Sequence, residues 1–339
     1  MSKGTIEVQV HWIFIAVAGS LILLFFAGFA VTQQRAGEQR DLAGLQRSLQ
    51  TIIAGVEAGS GSDTRLRAPG EITYSCEGFS IGLSEVGSAI AFAPAELSSA
   101  QGEIITASRE WRLPFRVANF LYVTSPAYRY ILVYRTAAEE SMADTLFRAL
   151  PDTDFIMKEK RGISEMSGIL SQGRIRLVFF GSTPPVISLP GIADTPPEDI
   201  SAVAISGNTI DGTGTVQFFT YGGGTFTSAG DPLPFLKQES VMGAVFAGDM
   251  GIYRCGMERA LERLSLVAEM YGRRAAALQD EGRYQPPASN CRSVYDPDDF
   301  MQMKEKQLTV DGIAQVAAAS SAVKNKNNQA QIFSCAPVY

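Results

Sequence analysis

One stretch constrains this chain more than any other. From Val10 to Val31 it reads VHWIFIAVAGSLILLFFAGFAV, twenty-two residues with no Asp, Glu, Lys or Arg. As a helix it covers about 33 Å at 1.5 Å per residue, which suits a hydrocarbon core of about 30 Å. A signal peptide has a shorter apolar region of about 7–15 residues, although Gly28-Phe29-Ala30 places small residues where a signal peptidase would cut. The residues after the run favour an anchor. Residues 32–41 hold no proline and one glycine, and Leu42, Leu45, Leu49, Ile52 and Val56 then recur at alternating spacings of three and four. That is an apolar stripe on one helix face, and Gly59-Ser60-Gly61-Ser62 ends it. The expectation is one long helix, with an N-tail and transmembrane helix over 1–31 and an amphipathic extension over 32–59. The extension holds only two heptads, so packing on the chain's own head is favoured over a coiled coil with another copy.

Composition places the remainder. Hydrophobic residues make up 46% of the chain and charged residues 19%, which reads as a folded globule. The net charge is -6, and because Lys3 and Glu7 cancel, the acidic excess lies after the apolar run. No cluster of Lys and Arg appears, and Lys324-Asn325-Lys326 carries only two charges, so nucleic acid is excluded as a partner. The one histidine, His11, sits beside Trp12 at the edge of the run, an interfacial position. No histidine remains for a Ser-His-Asp triad, a Cys-His dyad or a zinc site. Arg35, Arg40 and Arg47 after the run would by themselves hold the head inside. Four cysteines without metal-type spacing argue the other way, for disulfides in an oxidising space. The expectation is a single-pass protein of the cell membrane with its C-terminal head extracytoplasmic.

The head reads as α+β with an α/β unit. Residues 71–136 are β-rich: strands are expected at 71–76, 89–92, 103–106, 111–115 and 119–124, each punctuated by proline or glycine. Residues 137–254 form an α/β unit, introduced by a buried-type strand at Tyr130–Tyr134. A helix over Ala137–Leu150 carries Met142, Leu146, Phe147 and Leu150 on one face. Strands at 154–157, 174–180, 200–206 and 215–221 and a short helix near 162–172 complete a partly parallel sheet. The connection STPPVISLPGIADTPPED carries five prolines and is too long for a plain connector.

Residues 255–339 read as an antiparallel helical hairpin. Met257, Ala260, Leu261, Leu264, Val267, Tyr271, Ala275 and Leu278 make the first stripe, Pro286-Pro287 breaks it, and Asp296-Pro-Asp-Asp299 opens a second helix with aspartates as N-cap and dipole partners. In such a hairpin Cys255 and Cys335 share one end. Cys291 lies at the turn, roughly 40 Å away, and disulfide Cα atoms sit within about 7 Å. Cys255–Cys335 is therefore the expected bond. Cys76 and Cys291 are left to pair or stay free, and three connectivities stay formally open.

Motifs with catalytic or cofactor chemistry are absent. Asp211-Gly-Thr-Gly214 and Tyr221-Gly-Gly-Gly-Thr225 lack the following helix that a phosphate cradle needs, and read as turn glycines. Glu139 and Glu140 sit at a helix start, where acids favour the dipole. Ser182 has no nearby base. No cofactor and no metal is expected. The rival expectation is an enzyme or small-ligand receptor with a ligand loop at strand C-termini, formed by Thr136, Gly181 and Ser182.

Two resemblances add to this. Lys3-Gly4, the apolar-then-amphipathic helix and the β-containing head resemble type IV pilin-like proteins over roughly the first sixty residues. Trp111–Tyr122 (WRLPFRVANFLY), Tyr253-Arg-Cys-Gly-Met257 and Ser334-Cys-Ala-Pro-Val-Tyr339 are similar to uncharacterised archaeal single-pass surface proteins. The first resemblance implies assembly and the second the same anchored architecture. The expected function is a non-enzymatic protein that works by assembly or partner binding at the cell envelope, as a homo-oligomer or with other envelope proteins.

Overall fold

The computed structural model describes residues 4–339 apart from 60, 62, 69–71, 82–83, 88–89, 98–101, 153, 155, 169–172, 182–194, 209–211 and 281–288. In the first helix, α1 (Gly4–Ala58), the side chains of 4–15, 31, 34–42 and 56–58 also lie outside the description. The helix is continuous as expected, but its expected role is corrected. Among the described residues no helix is long and apolar enough to cross a membrane. The apolar side chains described on α1 run from Ala16 to Ala30, about 22 Å of helix against a core of about 30 Å. Val10–Ile15 and Val31, on which the full span depended, are outside the described side chains. The extracytoplasmic placement of an anchored head falls with the anchor.

The head is built on three sheets. A meander of β2 (Ile72–Tyr74), β3 (Gly78–Ile81) and β4 (Ser84–Gly87) is antiparallel throughout. A four-stranded sheet has the order β1 (Asp63–Arg67), β6 (Glu103–Arg112), β7 (Arg116–Thr124), β5 (Ala91–Phe92). The largest sheet contains four neighbouring parallel strands, ordered β9 (Met157–Gly162), β8 (Tyr128–Tyr134), β10 (Arg174–Phe180) and β11 (Ile200–Gly207). It continues antiparallel through β12 (Thr213–Gly222), which pairs with both β13 (Thr225–Ser228) and β14 (Leu233–Leu236). Gly223 and Gly224 join β12 to β13 with φ of 59° and 81°. Positive φ at both central residues is what a tight hairpin turn matching strand twist requires. Gly223 and Gly224 are turn residues, as their sequence context implied, whereas Gly222 ends β12 and Gly214, also read as a turn glycine, lies within it.

The helices cover one face of this sheet. α2 (Ala137–Ala149) is the crossover from β8 to β9, with Thr136 as N-cap and Glu139 and Glu140 in the first turn. α3 (Lys237–Phe246) and α4 (Met250–Asp280) follow β14. One hydrophobic core runs from Leu45 of α1 through both larger sheets to Val338, while a smaller cluster around Ile131, Leu177 and Phe179 fills the other face of the large sheet.

The C-terminal hairpin is corrected. α4 is followed by α5 (Ser289–Val294), α6 (Pro297–Met301) and α7 (Val310–Ile332). Leu308 and Thr309, just before α7, line one groove with Arg254 and Leu261 from the first half of α4. At the other end Tyr339 packs on Tyr271, and Arg274 donates to Pro337 O. α7 therefore runs in the same direction as α4. The return path is made by α6, whose Phe300 and Met301 lie against Gly272, and by Lys304, which pairs with Glu269 at 2.9 Å.

This reversal also corrects the disulfides. The bonds are Cys76–Cys255 and Cys291–Cys335, with Cα separations of 5.9 and 5.6 Å. A parallel α7 carries Cys335 away from Cys255 and towards α5. Cys255 instead ties the start of α4 to the turn between β2 and β3.

The aspartates before α6 cap it: Asp296 accepts from Asp298 N at 3.0 Å, and Lys326 of α7 bonds both Asp296 and Asp299 at 2.7 and 2.6 Å. The Lys326 hydrogen bond holds the Asp296 carboxyl below the usual carboxylate range. A depressed folded pKa gives stability that is present above the unfolded value of about 3.9 and lost as pH falls through the folded one. Lys326→Met is therefore expected to cost about 1 kcal/mol or less at pH 7, because the pair is partly exposed. In urea titrations the difference from wild type should shrink as pH falls below the unfolded value of about 3.9 and vanish once the folded carboxyl is protonated. A difference that persisted there would mean that packing, not charge, is lost.

Candidate functional site

Two places need a functional account, and α1 is the larger. Its C-terminal part is docked: Leu49 is 0% exposed and Leu45 3%, and both belong to the main core. Asn119 of β7 donates from Nδ2 to Gly59 O at 2.7 Å, and Gly61 N donates to Ser108 O of β6, so the chain leaving the helix is fastened to the four-stranded sheet. Leu45, Leu49 and Ile52 of the stripe thus pack on the head, with Ile53 beside them, while the side chains of Leu42 and Val56 lie outside the description.

The part before it is the reverse. Val17, Leu21, Ile22, Leu23, Leu24, Phe25, Phe26 and Phe29 are all more than half exposed, with Leu23 at 71%. These positions are consecutive or nearly so, hence they point to every side of the helix. Gly19 and Gly28 have nothing within 4 Å of where a Cβ would lie. Ser20 and Thr32 donate to the carbonyls of Ala16 and Gly28 one turn back, so the polar side chains here are satisfied within the helix. What is left to interact is apolar surface and small residues that admit close approach. An exposed apolar patch of more than a few hundred Å² is unusual on a monomer and marks a contact surface.

The strand C-termini are the second place. β8 and β10 are adjacent and parallel, so the structure does bring Thr136 and Gly181 to one edge. Ser182 and most of the proline-rich connection lie outside the described residues. Among the described residues, the contacts at the corner between Thr136 and Gly181 are local capping ones. Thr136 Oγ1 accepts from Glu139 N at 3.2 Å, and Arg135 N donates to Glu139 Oε2 at 2.6 Å. A Cβ on Gly181 would lie 3.1 Å from an Arg135 Nη. Glu140 and Asp144 are turned to Lys160, at 3.2 and 2.5 Å. Glu139 therefore serves the helix start and Glu140 the ion pair with Lys160, and among the described residues the edge presents no open carboxylate pair.

One buried group was missed from the sequence. Arg176 stands in the strand RIRLVFF with its side chain on the α3 side of the sheet, 3% exposed. A lone charge inside an apolar strand was the available signal. Among the described residues no group of three or more His, Cys, Asp or Glu is placed to hold a metal ion. Set against known proteins, the chain matches no family model, no curated protein and no solved structure.

Proposed function

We propose that this chain is a non-enzymatic assembly protein, pilin-like in its layout, whose α1 helices pack together while the disulfide-bonded heads stay outside the bundle. The observation that carries the reading is the all-round exposure of apolar side chains from Val17 to Phe29. A helix that is apolar on one face needs one neighbour; a helix apolar all round needs several. Each Leu or Phe removed from water contributes about 1.5–3 kcal/mol, so a handful of such contacts outweighs the cost of association. The docked half of α1 supports the same reading, because it fixes the exposed half to the head at a defined point. Two disulfides fit an oxidising, extracellular environment.

The test is sedimentation and cross-linking of the full-length chain in aqueous buffer, beside Leu21→Asp/Phe25→Asp. These two residues lie one turn apart on the helix and are 62% and 68% exposed. Wild type should run as a species of three or more copies, and the variant as a monomer with an unchanged melting temperature of the head. A monomeric wild type, or a variant that assembles equally well, would sink the proposal.

A further inference from the structure

The parallel strands β8, β10 and β11 start at a common edge, and charge gathers there. Arg174 lies beside Tyr128 in the register, and two residues further in Arg176 lies between Tyr130 and Ser201. Arg174 is fully engaged: it donates to Glu96 Oε2 at 2.8 Å, Asp199 Oδ1 at 3.1 Å and the Tyr128 hydroxyl at 2.9 Å. Arg176 makes no ion pair among the described residues. One of its Nη atoms donates to Ala244 O and Ala247 O, both at 2.9 Å, and its guanidinium stacks over Phe218. Those carbonyls are the C-terminal end of α3, so one function of Arg176 is to cap that helix. Capping occupies one nitrogen. The buried Nε has no hydrogen-bond partner.

Beside Arg176 is a pit of about 10 Å³, walled also by Tyr130 and Ser201, which is room for one oxygen-sized atom. The pit shares Pro94, Tyr128, Ser201 and Gly248 with an outer cleft of about 320 Å³. The cleft carries four carboxylates: Glu96, Glu198, Asp199 and Asp249. Glu96 and Asp199 answer Arg174, and Asp249 Oδ1 accepts from Ile252 N as the first turn of α4 begins. Glu198 is exposed and has no ion pair among the described residues. Charge is thus separated by depth, with a cation at the floor that makes no ion pair among the described residues and feels Asp249 only beyond contact distance, and an excess of carboxylate at the mouth. A simple anion would be repelled by the mouth, and a simple cation would leave the floor unanswered. A zwitterion of small size satisfies both.

We propose that this cleft binds a free α-amino acid, with a carboxylate oxygen in the pit against Arg176 and the ammonium among the carboxylates at the mouth. The volume lies at the small end of ligand pockets, about 300–1,000 Å³, and suits a single residue rather than a peptide. Burial lowers the Arg176 pKa to about 10, against a smaller opposing pull from Tyr130, Tyr128 and Asp249.

The experiment is calorimetric titration of the full-length chain with each of the twenty amino acids, with acetate and methylammonium as probes that carry one charge each. At least one amino acid should bind saturably, and both single-charge probes at least ten-fold more weakly. Ser201→Leu, which fills the pit and leaves the capping groups of Arg176, Ala244 and Ala247 unsubstituted, should abolish binding while the far-ultraviolet circular dichroism stays native. Arg176→Gln should do the same, and Glu198→Gln should weaken binding several-fold. Because Arg176→Gln removes a helix cap and can unfold the chain, Ser201→Leu decides where it does. The proposal is overturned if none of the twenty binds, if acetate binds as tightly as the best amino acid, or if binding survives Ser201→Leu.

Discussion

Removing the Cys76–Cys255 bond should lower the unfolding free energy by about 5 kcal/mol, and removing Cys291–Cys335 by about 4 kcal/mol. Both figures come from the loops that the bonds close, which span 179 and 44 residues. A cross-link acts mainly by narrowing the unfolded ensemble, and the effect grows with the logarithm of loop length. The two loops do not overlap in sequence, so their contributions should add. The longer bond has a local role as well. Among the described residues the β2–β4 meander is held to the rest by backbone bonds from Tyr74 N to Ala95 O and from Leu97 N to Ile72 O. Cys255 fixes the meander's first turn to the start of α4. The check is urea unfolding of Cys76→Ser/Cys255→Ser and Cys291→Ser/Cys335→Ser, each beside wild type with and without reductant. The first variant should unfold at lower urea than the second. If the order is reversed, loop entropy is not what the longer bond contributes.

The elements that were legible are those whose period or composition reflects burial. Of the α4 stripe, Met257, Ala260, Leu261, Leu264 and Ala275 are buried and Val267, Tyr271 and Leu278 pack half-buried on the core, because one face of that helix meets the core and the other meets water. Arg174–Phe180 is a strand at the expected bounds, since RIRLVFF lies between two strands and is apolar on both faces. α3 was not legible: Ser240 to Phe246 are all buried, so no polar face marks a helical period. β9, MKEKRG, was hidden for the opposite reason. It is the edge of its sheet, where lysine and arginine guard against further pairing, and the expected strand at 154–157 fell just ahead of it.

The C-terminal segment shows how a correct local reading gives a wrong global one. Asp296 caps a helix as expected, but that helix ends at Met301, and a new one starts after its own cap at Thr309. Thr309 accepts from Gly312 N, the signature that splits one expected helix in two. The disulfide inference rested on one continuous second helix, so the pairing failed where that helix breaks. In the apolar half of α1 the surface was legible and its length as a described span was not. The Arg176 cleft was illegible because its walls come from residues 94–96, 128–130, 174–176, 198–201 and 245–249, which only the sheet order brings together.

Phe92→Ala should cost about 3–5 kcal/mol, the range for emptying a fully buried aromatic site, and the structure makes a sharper claim about its neighbours. Phe92 belongs to a strand of two residues, yet its ring is 0% exposed and sits among Phe120, Tyr122 and Tyr253 at centroid distances of 5.2, 6.1 and 5.9 Å. Two glycines let α3 and α4 close on it. A Cβ added at Gly243 would lie 3.0 Å from the ring, and one at Gly256 would lie 2.5 Å from it. The ring has no free side to move into, so Gly256→Ala forces either an off-rotamer Phe92 or a shift of α4, at about 1–3 kcal/mol. The clash and the cavity should compensate: Gly256→Ala with Phe92→Leu should be less destabilised than the two single costs summed, by about 1 kcal/mol or more. Denaturant unfolding of the two single variants and the double variant measures that coupling. Strict additivity would mean that α4 yields by sliding and the ring does not yield at all. The distinction reaches beyond the core, because the chain between α3 and α4, Ala247 to Asp249, forms a wall of the Arg176 cleft. If α4 slides, amino-acid binding should weaken in Gly256→Ala; if only the ring adjusts, the cleft should be untouched.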